Sequence, residues 1–318
     1  MKKYDVVALG ELLIDFTETG LSAQGNRLLE VNPGGAPCNV LSMLNNLGKK
    51  TNFIGKLGKD MFGDLLEEAV SSVGIGIDGL KRDPEVNTTL AFVHTKEGGD
   101  REFSFYRNPG ADMMLTEDDV DAALIQEAKI FHFGTLSMTH EGCRAATKKA
   151  IQIAEEAGAI ISFDPNLREP LWKSLDDAHE QVAYGLQHCN ILKISDNEIQ
   201  WFTGEEDFDA GIAKLQAEYH IPLILLSMGG DGSRAYTKTQ RIEVPACIQE
   251  NTIETTGAGD TFGACILNYV LEHEFREYTD AELTEMLRFA NAAASIVTTR
   301  KGALRVMPQR EEVEAMLK

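Results

Sequence analysis

Basic residues are scarce in this chain: 30 Lys and Arg stand against 50 Asp and Glu, a formal net charge of −20. A surface that tracks nucleic acid needs a basic stripe, so nucleic acid is not an expected partner. Cysteine is also thin. Cys38, Cys143, Cys189, Cys247 and Cys265 are far apart, odd in number and form no Cys-x-x-Cys, which argues against a disulfide framework and against a zinc site. No apolar run approaches a membrane span, and the strand-like segment at residues 6–9 is too short for the apolar stretch of a secretory leader. A cytoplasmic protein with no membrane partner is the expectation. Two nucleotide signatures are missing as well. There is no phosphate-binding loop ending in Gly-Lys-Ser or Gly-Lys-Thr, and Gly74-Ile-Gly-Ile-Asp-Gly79, which has the literal dinucleotide spacing, follows a helical pattern and does not open one. His140-Glu141 has no second histidine at metal-ligand spacing.

What is present is an ordinary globular composition, 43% hydrophobic and 25% charged over 318 residues, enough for a large core. Short apolar segments at 6–9, 52–54, 130–133, 160–163, 191–194 and 223–226 alternate with amphipathic helical stretches. Residues 145–157 are the clearest of these: Ala146, Ala150, Ile153, Ala154 and Ala157 form one stripe and Gly158 stops it. The alternation predicts an α/β fold, with a doubly wound, mostly parallel sheet covered by helices on both faces. Residues 88–95 and 101–107 instead alternate with period two around a turn at 97–100, which predicts a β-hairpin. With the polar, strand-like stretch after Asp15 it suggests a small β-sheet lid, formed by excursions at about 13–32 and 87–112 from a single domain spanning 1–318. A lid of this kind excludes water from a phosphoryl-transfer site.

The run Glu254-Thr-Thr-Gly-Ala-Gly-Asp-Thr-Phe-Gly263 precedes a helical pattern at 264–273. Small residues at Gly257, Ala258 and Gly259 let an anion approach the main chain at a helix start, where free N–H groups and the helix dipole favour negative charge. Asp260 then has two readings. It is an N-cap, or it accepts the proton of a hydroxyl that attacks a phosphate bound there. Two further glycine clusters, Gly34-Gly-Ala-Pro-Cys-Asn39 and Gly229-Gly-Asp-Gly232, follow or open similar elements.

Six ordered segments carry a resemblance that runs nearly end to end: Gly10-Glu-Leu-Leu-Ile-Asp15, Pro33-Gly-Gly-Ala-Pro-Cys-Asn39, Gly55-Lys-Leu-Gly-Lys-Asp-Met-Phe-Gly63, Phe105-Tyr-Arg-Asn-Pro-Gly-Ala-Asp112, Asp164-Pro-Asn-Leu-Arg-Glu-Pro-Leu-Trp172 and Thr255-Thr-Gly-Ala-Gly-Asp-Thr-Phe262. The chain resembles the ribokinase-like (PfkB) carbohydrate kinases, and fructokinases among them. The resemblance implies ATP and Mg2+ as cosubstrates and a sugar hydroxyl as acceptor. It implies Asp260 as catalytic base, Gly257, Ala258 and Gly259 as an anion hole, and Asp15, Gly34, Gly35 and Asn39 as sugar contacts, with Arg107 as a further one. For the nucleotide it implies Arg168, Ser195, Glu198, Ser227, Gly229, Gly232 and Asn291. Ser195 stands where the family has an asparagine, with Asp196 and Asn197 beside it as substitutes. Glu254 stands where relatives carry an aspartate that binds a monovalent cation. The corresponding K+ set would be Glu254 with the backbone oxygens of Thr256, Val297, Arg300, Gly302 and Val306.

Other acceptors remain open at this point, namely 2-keto-3-deoxygluconate, whose carboxylate Arg107 would meet, ribose, or a nucleoside. So does an inactive sugar-binding regulator, against which the intact Thr-Gly-Ala-Gly-Asp core argues. Free edges of the lid sheet suggest a homodimer formed through the lid.

Overall fold

The computed structural model describes residues 2–95 and 101–318. Its strands are β1 (Tyr4–Leu9), β2 (Leu13–Leu21), β3 (Arg27–Gly34), β4 (Thr51–Gly58), β5 (Gly76–Asp83), β6 (Leu90–Thr95), β7 (Arg101–Tyr106), β8 (Ala128–Gly134), β9 (Ile160–Asp164), β10 (Ile191–Ser195), β11 (Leu223–Ser227), β12 (Ser233–Tyr236) and β13 (Arg241–Val244). The helices are α1 (Ala36–Asn46), α2 (Met61–Ser72), α3 (Ala122–Gln126), α4 (Glu141–Glu156), α5 (Leu175–His188), α6 (Asp196–Thr203), α7 (Phe208–Tyr219), α8 (Ala258–His273), α9 (Asp280–Val297) and α10 (Arg310–Met316).

Nine strands form the main sheet in the order β13-β12-β11-β10-β9-β8-β1-β4-β5. All its pairings are parallel except β11–β12 and β12–β13. Central strands buried on both faces must be apolar at every position, and β1 shows it: Val6 and Ala8 enter one core layer, Val7 and Leu9 the other. The first layer is covered by α1, α2, α8, α9 and α10, the second by α3 to α7. From β1 the chain winds outward through β4 and β5, then returns to β8 and winds the other way through β9, β10 and β11. That reversal opens a crevice beyond the carboxyl ends of the central strands, where doubly wound sheets bind ligands.

The second sheet has four strands in the order β3-β2-β6-β7. It is seated on the body by Phe16, which packs edge-on against Phe62 of α2 at 5.7 Å and stacks on Phe92 at 4.9 Å. Leu21, Leu28, Leu29, Val31 and Tyr106 are exposed on this sheet. The expected hairpin is present as the antiparallel pair β6–β7; its expected turn at 97–100 lies outside the described residues.

Five elements differ from the sequence reading. Strand β5 and the antiparallel edge strands β12 and β13 were not anticipated. Helix α4 begins at Glu141, four residues before its expected start at 145, after a His140 cap that accepts from the Gly142 amide. Helix α8 begins at Ala258, not near 264, because Gly257 takes a left-handed conformation (φ 78°) that admits the chain directly into the helix. Among the described residues, no helix is long and apolar enough to cross a membrane.

Candidate active site

A cleft of about 580 Å³ lies at the crevice, walled by residues from the ends of β1, β8, β9 and β10, from the lid, and from the 252–260 segment. A second cavity of about 430 Å³ adjoins it and shares Thr252, Thr255 and Gly259 with it. The start of α8 therefore stands between the two.

On the lid side, Asp15, Gly35 and Asn39 line the cleft. Gly34 sits against Asp15: a Cβ there would come within 2.3 Å of the Asp15 Oδ2. Gly35 has φ 130°, and a Cβ on it would meet the Glu11 carbonyl at 2.5 Å. Only glycine permits this approach, which brings Pro37 and Asn39 into the first turns of α1. Asn39 is buried and donates from Nδ2 to the Asp260 Oδ2 at 2.8 Å, while its Oδ1 has no partner. Glu11, which the sequence reading did not single out, accepts from the Ala36 amide at 2.9 Å. Burial pushes its carboxyl up to about 7, and Asp112 adds to that while Arg107 opposes it.

Asp260 is not the cap of α8. The cap is Gly257, without a side-chain hydrogen bond, so Asp260 occupies the third helical position. Its carboxyl is raised by burial and pulled back by Asn39, Lys193 and Arg168. First-turn amides of a helix lack intrahelical acceptors, so Gly257 and Gly259 present a partly positive surface next to an acidic acceptor, while the Ala258 amide donates to the Thr255 carbonyl at 3.2 Å. Behind them, Lys193 of β10 reaches forward between strands. Its Nζ lies 3.1 Å from the Asp164 Oδ2, and a Cβ built on Gly259 would lie 3.2 Å from that Nζ. Burial works against the Lys193 charge, but Asp164 and Glu198 outweigh it and its pKa is raised. Asp164 is raised chiefly by burial, against Lys193. Below them, His132 is held neutral, pushed to about 4 by burial and by Lys193, with Nδ1 3.0 Å from the Ser162 hydroxyl.

Glu198 lies in the first turn of α6, outside the linings of both cavities. Burial opposes its charge, yet Lys193 and the donors from Ser195 and Leu167 lower its pKa. One oxygen accepts from the Leu167 amide at 2.8 Å, the other from the Ser195 amide at 2.9 Å and hydroxyl at 2.8 Å. Ser195 is thus the cap of α6 and not a cleft-lining group. Arg168 does line the cleft, its Nη1 donating to the Leu167 carbonyl at 3.1 Å.

Ser227, Gly229, Gly232 and Asn291 all line the second cavity. A Cβ on Gly232 (φ 105°) would come within 2.2 Å of the Val244 carbonyl. Asn291 accepts from Ser233 at 2.8 Å and donates to the Val244 and Pro245 carbonyls at 3.2 and 3.1 Å, so its amide holds the cavity wall together.

Two expectations need correction or restriction. Arg107 does not line the cleft. Its side chain is 2% exposed and its donors are spent on Asp112, Thr139 and the Leu136 carbonyl. With Asp112 also bonded to Thr89 at 2.5 Å, this cluster ties both ends of the lid hairpin to the body. The resemblance placed Arg107 at the end of a lid strand, but a charge there is more stable folded back onto a carboxylate than left at the cleft. In the proposed cation set, Glu254 accepts from the Gly302 amide at 2.9 Å, Val297 from the Arg300 amide at 3.0 Å, and the Val306 carbonyl from the Arg300 guanidinium at 2.9 Å. These donors close the 297–306 loop, and a guanidinium already occupies the Val306 oxygen, so the set does not fit a monovalent cation well. Among the described residues, no group of three or more His, Cys, Asp or Glu could by itself hold a metal ion. That suits Mg2+, which keeps most of its waters and takes one or two carboxylates plus substrate phosphates; the ionised Glu198 beside Asp164 fits such a role.

Residues 3–310 match the family described as pfkB family carbohydrate kinase. The chain is 40% identical over 315 residues to probable fructokinase-4 of Arabidopsis thaliana, covering 98% of this chain and 96% of that protein. A fructokinase from Xylella fastidiosa with bound ATP superimposes with a TM-score of 0.90 at 31% identity, covering 100% and 98% of the two chains. A fructokinase from Vibrio cholerae O395, solved with fructose, ADP and calcium ion, superimposes with a TM-score of 0.89 at 28% identity over 99% of each. A match of this length, on a fold and a cleft built as described, means that the chain belongs to the pfkB family of carbohydrate kinases.

Proposed function

We propose that this protein transfers the γ-phosphoryl group of ATP to the 6-hydroxyl of D-fructose, giving fructose 6-phosphate and ADP. The observation that carries the reading is the position of Asp260: a half-buried carboxylate in the first turn of α8, oriented by Asn39, between a cleft lined by sugar-binding residue types and a cavity lined by glycines. In this reading Asp15 and Asn39 fix the sugar by accepting from and donating to neighbouring hydroxyls. The second cavity takes the adenosine part of ATP, and Arg168 offers its fork to the phosphates.

Asp260 accepts the proton of the 6-hydroxyl as that oxygen bonds to the γ-phosphorus. The bond from the γ-phosphorus to the bridging oxygen breaks, and ADP leaves with the electron pair. The amides of Gly257, Ala258 and Gly259 stabilise charge on the equatorial oxygens. Mg2+, when bound near Glu198 and Asp164, supplies charge neutralisation to the phosphates. The oxygens that would hold potassium are already engaged within the 297–306 loop. The lid sheet shields the reacting oxygens from water, and its exposed Leu21, Leu28, Leu29 and Val31 are the surface through which a homodimer would form.

A 2-keto-3-deoxygluconate kinase would have used Arg107 for the substrate carboxylate. With that guanidinium spent on Asp112, this alternative loses its cation. The test is ADP formation by purified protein with Mg·ATP and a panel of fructose, ribose, 2-keto-3-deoxygluconate, fructose phosphates and adenosine. Strong selectivity for fructose is expected. Selectivity for another member overturns the substrate, and no turnover with any of them overturns the activity.

A further inference from the structure

We infer that Glu11 is a positioning residue for the phosphoryl transfer, whose carboxylate fixes the start of α1 and, through Asn39, the orientation of Asp260. The inference rests on the kinase reading but not on fructose as the acceptor.

Helix α1 opens with few acceptors of its own. Its cap is Gly35, which has no side chain to accept from the first turn, and Pro37 just inside the helix carries no N–H. The Ala36 amide is satisfied from another element, by the Glu11 carboxylate at 2.9 Å. Glu11 belongs to the junction between β1 and β2, and this junction presses on the helix start at two further points. A Cβ on Gly10 would come within 2.6 Å of the Pro37 side chain, and one on Gly35 within 2.5 Å of the Glu11 carbonyl. Glu11 is 4% exposed. Burying an ionisable group costs stability; what it supplies here is an acceptor that the first turn of α1 does not offer.

Asn39 closes that same turn, its backbone amide donating to the Gly35 carbonyl at 3.0 Å. Its side chain then donates to the Asp260 Oδ2 at 2.8 Å. The tie from Glu11 and the tie to Asp260 are thus attached to one helical turn, three residues apart. A shift at Ala36 moves Asn39, and with it the donor that sets the direction of the proton acceptor. Rates of oriented reactions respond steeply to such shifts, about 10²-fold for 1 Å.

A role in stability alone makes different predictions. The test compares Glu11→Leu, Glu11→Gln, Asn39→Ala and the Glu11→Leu/Asn39→Ala pair with the parent, all as folded protein at one temperature below their melting points; Glu11→Ser replaces the Leu variant if that one does not fold. The Leu variant is expected to lose about 10–10²-fold in kcat, with the KM for ATP within about threefold of the parent. Gln keeps an acceptor for the Ala36 amide and should recover most of the loss. Because Glu11 acts through Asn39, the double variant should fall within about threefold of Asn39→Ala alone, not at the product of the two losses. The side-chain amide resonance of Asn39, assigned by its disappearance in Asn39→Ala, should shift in the Leu variant and stay near its parent position in the Gln variant. A Leu variant with kcat within about threefold of the parent overturns the inference. So do multiplicative losses in the double variant, a Gln variant no better than Leu, or an unmoved Asn39 resonance. If the parent prefers another sugar of the panel, the substrate assignment fails and the same cycle decides the inference on that sugar. If it turns over none, the activity reading fails, and the Asn39 resonance decides whether Glu11 positions Asn39.

Discussion

Replacing Asp260 by Asn separates the chemistry of the site from its architecture. The side chains have the same shape, and an Asn oxygen can still accept from Asn39 Nδ2, which now lies 2.8 Å from the carboxylate. The other end changes from an acceptor to an N–H donor, so the substrate hydroxyl has nowhere to send its proton. General-base loss is worth about 10²–10⁴ in rate, or roughly 3–5 kcal/mol in the barrier. The sugar KM is expected to stay within about threefold, since contacts to the ground state are kept. Stability should move the other way. Burial raises the Asp260 pKa in the fold, so the native state binds that proton more tightly than the unfolded chain. The associated stability is present at acid pH and is lost as pH rises through the unfolded carboxylate value towards the folded one. At neutral pH the ionised carboxylate therefore costs stability, and the neutral amide removes that cost. A coupled ADP-release assay and a melting curve at pH 7.5 check both halves: kcat down by two to four decades, Tm no lower than the parent. A variant with kcat within tenfold of the parent, or one whose lost activity tracks a lower Tm, would refute the reasoning.

Other substitutions test neighbouring parts of the argument. Gly34→Ala places a Cβ 2.3 Å from the Asp15 Oδ2; displacing that carboxylate should cost about 10²-fold in kcat/KM for fructose with the KM for ATP unchanged, and an unaltered fructose KM would remove Asp15 from the sugar site. Arg107→Met leaves Asp112 as an unpaired buried charge, which should cost about 3–5 kcal/mol of stability, read by urea titration, with little effect on the fructose KM of the folded protein. A large rise in KM without loss of stability would return Arg107 to the sugar. Glu11, pushed up to about 7 by burial, makes the parent lose stability as pH rises from about 4.5 to 7, a loss of roughly 3 kcal/mol. Glu11→Gln keeps an acceptor for the Ala36 amide and should flatten that part of the Tm-against-pH curve, whereas an unchanged slope would assign the loss to other groups.

The winding of the fold was legible because six of its parallel strands are short apolar runs separated by amphipathic helices, a pattern with few other solutions. Strands β12 and β13 escaped because they are four residues long and carry charge on their exposed face, Ser233-Arg-Ala-Tyr236 and Arg241-Ile-Glu-Val244. Local propensity failed at the start of α8 for a different reason. Glycines at 257, 259 and 263 disfavour a helix when read alone, yet the site requires small residues there, and packing of Phe262, Ala264 and Ile266 into the core supplies the stability that propensity withholds.

The glycine motifs identified the parts of the site that are made of backbone. They did not identify the charges behind it, and the topology explains why. In a parallel sheet, neighbouring positions on adjacent strands are one helix and two loops apart in the chain. Gly134 of β8 pairs in register with Asp164 of β9, and Lys193 follows on β10 beside it, so the cluster is spread over some sixty residues and leaves no local spacing to detect. A trace did exist. Lys193 interrupts the apolar strand Ile191-Leu-Lys-Ile194, and a lysine in a doubly covered strand is nearly always paired. In this architecture, a lone charge inside a central strand and close to its carboxyl end points into the ligand crevice. The same reasoning separates Lys193 from Arg107. Arg107 follows a lid strand, where the chain is free to fold the side chain back onto a partner five residues on, and it does so with Asp112. Lys193 has no such freedom, because both faces of its strand are packed and the way left to its ammonium is along the strand ends, beside Asp164 and towards Gly259.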